Sequence, residues 1–445
     1  MPFQRPTRRR FLAGLGAGGV TAVSGCASSR STPATAALDW PSDEWPVAHG
    51  TPTNTGYTRS KSAPRTNPPM HVWKLWERVE SEDEKKNILH GTTSSPIVSN
   101  GTVFVATGLP SGFTIDADGK LYALDATTGK TKWSATLPKG GTGTPAVADG
   151  LVFAGSADRA LTAFDAASGA VRWRTTTSAP VGTPTVAGGN VYVGDRHGSV
   201  HAFRRTDGKL EWRYGQRTLG SFFSEKTWWI RSKPAVTDDA VYVSTGIGQN
   251  GRTTSSNLLA LSRDDGGERW RYEFSQDRFS YEPPRAPVVA DGTVFVSDTS
   301  LHAVDPSDGT KRWQFAFGYR RPVSAPAVHD GSVYIGAKNV YSISAEDGTE
   351  QWRFVNRASM ATMEHRVPME SAPVVTDETV YIGAGALDSS SGEKLWGDLG
   401  NQDDSQFFLS DTNENATLEG PAIAGDAVFV ATEYGSIIRF ADGDA

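Results

Sequence analysis

The fold of this chain is decided by the stretch LYALDATTGKTKW, Leu121–Trp133, in which a glycine stands four residues before a tryptophan. Seven copies of this phrase follow one another, and the spacing from glycine to tryptophan never changes. The other six copies end at Trp173, Trp212, Trp270, Trp313, Trp352 and Trp396. Repeats of about 40 residues made of strand and turn signals are typical of stacked β units. We therefore predict one large all-β repeat domain.

Each copy predicts four short strands. A proline-containing apolar strand opens the unit, as in GTPAVA around Pro145, and eight such openings occur along the chain. Asp-Gly or Asn-Gly often follows, and these dipeptides supply the positive φ angles that hairpin turns need. The second strand places an aromatic residue between β-branched residues, as in Val103-Phe104-Val105. The third strand carries the LYAL-type triplet, and the fourth ends at the tryptophan, which we interpret as packing between adjacent units.

The openings and the endings differ in number. Eight strands open a unit, but only seven end in Gly-x-x-x-Trp, because the last unit stops at Asp442-Gly443. At the other end of the chain, residues 71–76 resemble a strand that carries tryptophans and belongs to no repeat of its own. We therefore predict an eight-bladed β-propeller closed by an N-terminal strand that completes the last blade. Trp73 or Trp76 then takes the place of the missing eighth tryptophan.

The repeat resembles the pyrroloquinoline-quinone (PQQ) type of β-propeller repeat, whose signature is Ala-x-Asp-x-x-x-Gly-x-x-x-Trp. Ala123 and Asp125 fit this signature in the first copy, whereas Ser342 and Ser344 depart from it in the sixth. The resemblance runs from about Trp45 to the last residue. It implies one of two branches: dehydrogenases that bind PQQ with calcium on the propeller axis, or lipoproteins of outer-membrane-protein assembly that act as scaffolds without a cofactor. Many of the dehydrogenases carry adjacent cysteines, which this chain lacks, and that favours the second branch.

The N-terminal residues 1–25 are typical of an export signal. Arg8 and Arg9 precede an apolar segment in a way that resembles the twin-arginine signal, and the residues before Cys26 resemble a lipobox. Cys26 is the only cysteine, so we expect it to carry a lipid; the alternative is an uncleaved signal with an incidental cysteine. Residues 26–42 are then a flexible tether and residues 43–445 the propeller. We expect an exported protein anchored to the outer face of the cytoplasmic membrane, or to the periplasmic face of an outer membrane.

The charge of the chain argues against nucleic acid as a partner. Removal of the signal takes four arginines from 44 basic side chains, which leaves 40 against 50 acidic ones and a formal charge of −10. Such a surface repels phosphate backbones, and the body of the chain holds no basic run.

The loops from each tryptophan to the next opening proline are predicted to share one face, around an axial funnel where propellers bind their ligands. Aromatic and charged residues in these loops are typical of binding hot spots. The candidate funnel or partner-binding residues are Trp228, Trp229, Arg231, Tyr281, Arg285, His365, Glu370 and Glu419. The alternative interpretation is that these loops pack on one another and their charges pair.

We predict a monomeric, non-catalytic scaffold that binds proteins or peptides at the cell surface, with no catalytic, cofactor-binding or metal-binding residue and no cofactor expected. The first alternative is a quinoprotein oxidoreductase that uses PQQ with calcium on alcohols or sugars. The second alternative is a binder of carbohydrate or surface polymer that uses Trp228 and Trp229.

Overall fold

The computed structural model describes residues 44–61, 63–75, 93–108, 118–215, 227–230, 232–249, 252–274, 284–318, 323–355, 371–399, 420–432 and 435–441. These residues belong to one compact unit, Ala37–Ala445. They form 33 strands in eight sheets and contain no α-helix, which confirms the all-β prediction. Among them, no helix is long and apolar enough to cross a bilayer.

Each sheet is one blade, and in six of the eight blades the four strands follow one another in chain order from the inner to the outer edge. Blade 1 consists of β2 (Ile97–Ser99), β3 (Thr102–Ala106), β4 (Gly119–Asp125) and β5 (Thr131–Leu137). Blade 2 consists of β6 (Ala146–Ala148), β7 (Leu151–Ser156), β8 (Ala160–Asp165) and β9 (Val171–Thr176). Blade 3 consists of β10 (Thr185–Ala187), β11 (Asn190–Gly194), β12 (Ser199–Arg204) and β13 (Leu210–Gly215).

Blade 4 has a fifth strand; it consists of β14 (Thr227–Trp229), β15 (Ala235–Val236), β16 (Ala240–Gln249), β17 (Arg252–Ser262) and β18 (Glu268–Glu273). Blade 5 consists of β19 (Val288–Ala290), β20 (Thr293–Ser297), β21 (Ser300–Val304) and β22 (Lys311–Ala316). Blade 6 consists of β23 (Ala327–His329), β24 (Ser332–Gly336), β25 (Val340–Ser344) and β26 (Glu350–Phe354). Blade 7 consists of β27 (Val374–Val375), β28 (Thr379–Ile382), β29 (Ala384–Asp388) and β30 (Lys394–Asp398).

Blade 8 joins the two ends of the chain. It consists of β31 (Ala422–Ala424), β32 (Ala427–Ala431), β33 (Ser436–Ala441) and, as its outermost strand, β1 (Met70–Lys74). β1 runs antiparallel to β33, with Met70 opposite Phe440 and Lys74 opposite Ser436. The innermost strands of neighbouring blades contact one another, and β31 of the last blade contacts β2 of the first. The ring is therefore closed, and the predicted eight-bladed propeller with its N-terminal closing strand is confirmed.

A glycine–tryptophan lock is described at seven of the eight interfaces between blades. Each repeat glycine has a φ angle between +69° and +76°, which glycine alone adopts without strain. It also lies so close to the tryptophan of the preceding blade that an added Cβ would be only 2.3–2.7 Å from the ring. The pairs are Gly129 with Trp73, Gly169 with Trp133, Gly208 with Trp173, Gly266 with Trp212, Gly309 with Trp270, Gly348 with Trp313, and Gly392 with Trp352.

The tryptophan rings also satisfy their only polar atom across the same interfaces. Trp173 Nε1 donates to the Arg205 carbonyl at 2.8 Å, and five other repeat tryptophans make the matching bond to the next blade at 2.8–3.1 Å. The seventh, Trp396, donates instead to the Pro64 carbonyl of the N-terminal segment at 3.0 Å. Each ring also lies 5.7–6.2 Å from the aromatic residue of its own blade's second strand, tilted by 42–57°. This geometry is favourable for aromatic pairs and confirms that the tryptophans pack between blades.

Blade 8 reproduces the lock with different residues. Trp73 covers Gly129 and pairs with Phe429 at 6.0 Å, which confirms the prediction that Trp73 or Trp76 supplies the eighth tryptophan; Trp76 lies outside the described residues. In β1, however, the residue in register with the repeat tryptophans is His71, because His71 lies opposite Arg439. Trp73 therefore reaches the lock from two residues further along the strand.

Candidate functional site

The axis of the ring is lined by the residues that stand immediately before the eight opening prolines. All eight residues are buried: Ser95, Thr144, Thr183, Lys233, Ala286, Ala325, Ala372 and Gly420. The first four place three hydroxyls and one ammonium on the side of blades 1–4. Three of the other four, Ala286, Ala325 and Ala372, pack together in an apolar cluster on the side of blades 5–7. The axial layer is therefore polar on one half and apolar on the other.

An N-terminal segment that the sequence did not single out, residues 45–60, fills the inner edge of the ring. We call it the axial ribbon. Its carbonyls accept backbone hydrogen bonds of 2.7–2.9 Å from the innermost strands of six blades. The first is the bond from the Val98 N–H to the Trp45 carbonyl, and the last is the bond from the Val375 N–H to the Gly56 carbonyl. These strands have no neighbour on their inner side, so the ribbon satisfies N–H groups that would otherwise be open.

Lys233 fixes the axial ribbon to the polar half of the axis. Its side chain is only 2% exposed, and its Nζ donates to the Ala48 carbonyl and, at 3.1 Å, to the Thr51 carbonyl. Beside it, burial and the Lys233 charge lower the pKa of His49 to about 3, so His49 is neutral at neutral pH. A second anchor is Asn54, which donates to the Pro287 carbonyl at 2.8 Å. The ribbon is therefore a built part of the ring rather than an extension of the tether.

Arg285 is the predicted funnel residue whose backbone and side chain both lie among the described residues, and its hydrogen bonds join three blades. Its backbone N–H donates to Ser297 at 2.8 Å and its Nε donates to the Val323 carbonyl at 2.9 Å. Its own carbonyl accepts a 2.8 Å hydrogen bond from Ser244 Oγ. These bonds hold the Arg285 side chain at the ends of the inner strands of blades 5 and 6.

Two further predicted residues, Trp228 and Trp229, lie in β14. Their backbones pair with Ile247 and Gly246 on β16, close to Ser244 and therefore to the end of the blade where Arg285 lies. The structure thus brings this tryptophan pair and Arg285 to one end of blades 4 and 5. The other predicted funnel residues lie outside the described residues: Arg231, Tyr281, His365, Glu370 and Glu419. Cys26, Arg8 and Arg9 also lie outside them.

Two acid–histidine pairs, each with a buried histidine, were missed by sequence reasoning. Asp195 is fully buried and lies 3.0 Å from Nε2 of His201, which is 3% exposed. Burial raises the pKa of Asp195, but hydrogen bonds from His201 and from the Ser199 backbone outweigh it and hold that pKa below its ordinary value. The carboxylate therefore stays charged. Solvent does not reach this pair, so it orders the turn between two strands rather than acting on a dissolved substrate.

The second pair extends to a tyrosine of the preceding blade. His302 Nε2 lies 3.1 Å from Asp298, and the Tyr272 hydroxyl lies 3.0 Å from His302 Nδ1. Burial and the Asp298 charge raise the pKa of Tyr272, so its hydroxyl keeps its proton. The bonds link blade 4 to blade 5. A sequence signal existed for both pairs, an Asp followed by Ser and His at alternate positions, but it overlaps the ordinary polar pattern of a turn.

The side chains of the axial layer bear on whether this ring could hold PQQ with calcium. Calcium requires six to eight oxygen ligands, among them carboxylates. The axial layer provides hydroxyls and the Lys233 ammonium, and the described part of the chain holds no group of three or more His, Cys, Asp or Glu side chains suited to a metal. These described residues therefore do not fit the calcium half of such a site.

Eight sheets, seven of four strands and one of five, a glycine–tryptophan lock between blades and a strand that joins the chain ends define a closed β-propeller of the PQQ-type repeat. Residues 70–254 and 254–444 match the family described as outer membrane protein assembly factor BamB, and the chain belongs to this family. No curated protein matches the chain.

Solved structures share the fold at low sequence identity. Quinohemoprotein alcohol dehydrogenase from Comamonas testosteroni is 14% identical with a TM-score of 0.61, over 91% of this chain and 81% of that one. BamB from Moraxella catarrhalis is 13% identical with a TM-score of 0.53, over 83% of this chain and 98% of that one. A europium-containing methanol dehydrogenase is 15% identical with a TM-score of 0.59, over 89% and 91%. The propeller is therefore common to assembly factors and to dehydrogenases.

Proposed function

We propose that this protein is a non-catalytic scaffold that binds proteins or peptides in the cell envelope. The observation that carries the proposal is the family match to an outer-membrane-protein assembly factor along residues 70–444.

The binding surface that we propose is the end of blades 4 and 5 where β14 lies. β14 makes blade 4 the only five-stranded sheet among those described. The backbone of its residues Trp228 and Trp229 pairs near Ser244, whose hydroxyl donates to the Arg285 carbonyl. Tryptophan and arginine are the residue types most enriched at binding hot spots. The closed ring beneath them supplies a rigid platform, which reduces the entropy lost when a partner docks.

Photo-crosslinking tests this surface. A photoreactive residue at Trp229 is expected to form adducts with envelope proteins in the native membranes, whereas one at Val171, which is 58% exposed on β9, serves as the matched control. Adducts at position 229 alone support the surface. Equal yields of adducts at both positions, or none at position 229, contradict it.

We also propose that the protein is exported through Arg8 and Arg9 and held at the membrane by a lipid on Cys26. A protein with one acyl-modified cysteine stays with membranes on carbonate extraction, whereas the Cys26→Ser variant is expected to appear in the soluble fraction. If the Cys26→Ser variant remains in the membrane fraction, the lipid anchor is refuted, while the crosslinking result at Trp229 stands independently.

A second candidate function is a quinoprotein oxidoreductase, favoured by the fold likeness to quinohemoprotein alcohol dehydrogenase. PQQ, when bound, would accept two electrons from an alcohol or sugar. The test is to add PQQ and calcium to the purified protein and to measure bound chromophore and dye reduction. Saturable binding with turnover would replace the scaffold proposal, whereas binding of neither supports it.

A further inference from the structure

The interface at which the ring closes, between blade 8 and blade 1, contains one side chain that the repeat does not predict. In blade 1, Phe104, Ala123 and Trp133 stand in register across the second, third and fourth strands. In blade 8, Arg439 takes the place of the alanine, with Phe429 and His71 on either side. A long cation thus occupies a position where the other seven blades have alanine or serine.

Arg439 is buried without the partners that a buried cation requires. Its side chain belongs to a residue that is only 8% exposed, and its Nε and Nη1 have no hydrogen-bond acceptor among the described residues. Nε2 of His71, on the adjacent strand, is also buried and without a partner in the described part of the chain. Three unsatisfied nitrogens therefore lie on neighbouring strands of one interface.

The surroundings do not compensate for the charge. The cluster that fills this interface is apolar and includes Val103 and Leu124 from blade 1 and Ile437 from blade 8. A buried, unpaired guanidinium is strongly unfavourable, whereas one that donates to an ionised oxygen is favourable. The physical remedy is an acceptor that carries negative charge.

We propose that this closing interface binds an oxyanion, a phosphate or carboxylate group, on the Arg439 guanidinium with His71 Nε2 as a second contact. The planar guanidinium suits such groups better than an ammonium, because its N–H groups spread around the oxyanion in one plane. The bound anion would tie β33 to β1 and would make ring closure respond to anions. This site is independent of the proposed scaffold function.

Thermal unfolding of the purified mature protein tests the proposal, with inorganic phosphate as the probe and the ionic strength held constant with chloride. The midpoint temperature is expected to rise with phosphate, by about 3 °C at one hundred times the dissociation constant for a ring of this size. Arg439→Met is expected to abolish the rise. The matched control, Arg172→Met, removes an exposed arginine from β9 and is expected to keep it.

The proposal is overturned if phosphate does not change the midpoint of the wild type, or if Arg439→Met keeps the response to phosphate. Should Arg439→Met fail to fold, calorimetric titration of phosphate into the wild type and into His71→Ala decides between the outcomes. Affinity lost at least threefold in His71→Ala supports the site. Unchanged affinity, or no heat of binding to the wild type, refutes it.

Discussion

The glycine–tryptophan lock predicts a specific loss of stability at Gly208. A methyl group at this position meets two costs, since φ is +69° and an added Cβ would lie 2.6 Å from the Trp173 ring. The left-handed conformation costs an alanine about 1–2 kcal/mol. Displacing a packed ring costs about 1–3 kcal/mol more. Gly208→Ala is therefore expected to lower the free energy of unfolding by about 2–5 kcal/mol.

Gly150→Ala separates the two costs. Gly150 has nearly the same φ angle, +72°, but an added Cβ there meets nothing within 4 Å. Urea unfolding followed by tryptophan fluorescence is expected to show a loss of about 1–2 kcal/mol for this control, which is the conformational part alone. The difference between the two variants measures the contact with Trp173. Equal losses would refute the conclusion that the ring contact, rather than backbone conformation, requires the glycine.

Three further predictions concern the side chains of Trp73, His49 and Lys233. Trp73→Ala removes the closing tryptophan and is expected to cost about 3–5 kcal/mol and to expose β1 to limited proteolysis, whereas Val171→Ala, on an exposed position, leaves both unchanged. Folding lowers the pKa of His49 from 6.5 to about 3, so the unfolded chain binds a proton that the folded one refuses, and stability is lost as the pH falls from 6.5 toward 3, by up to about 5 kcal/mol. The urea midpoint of His49→Gln should depend less steeply on pH in that window, and an unchanged slope would contradict the assignment. Lys233→Met leaves the Ala48 carbonyl without its side-chain donor and the Thr51 carbonyl with only the Asn54 N–H, and it is expected to let proteases cut residues 45–60 while the blades remain folded. Resistance equal to the wild type would show that the backbone bonds alone hold the ribbon.

The fold could be predicted from the sequence because each blade states its own turn chemistry and packing residue. Gly129 and Trp133 stand in a fixed spacing that leaves only one hairpin possible between β4 and β5. Closure could be predicted because the strands that open with a proline outnumber the repeats that end in Gly-x-x-x-Trp by one. The register of β1 could not be predicted, since β1 pairs with a strand near the other end of the chain, Met70 opposite Phe440, and is positioned by packing against Gly129 rather than by a local turn.

The site was less predictable than the fold, for a physical reason. The axial ribbon carries no repeat motif, because its backbone pairs with the innermost strands of several blades. Its residues are uniformly buried over 45–50 and alternate in burial only over 51–60. Lys233 precedes an opening proline, as Thr183 does, so the sequence alone does not distinguish their roles. Only the folded ring shows that the Lys233 ammonium donates to carbonyls of the axial ribbon. Arg285 was predicted as a funnel residue, and the structure shows that its Nε is engaged by the Val323 carbonyl.

Because β1 and β33 share one blade, a nascent chain cannot finish the ring until its last strand has left the ribosome. Until then the outer edge of β33 does not exist, β1 has no neighbour, and the face of blade 1 that Trp73 covers stays open to solvent. A chain truncated anywhere before Ser436 thus keeps an unpaired strand edge and an exposed apolar face, which are the features that chaperones and proteases recognise. The position of a single strand makes completeness of synthesis a precondition for a sealed product.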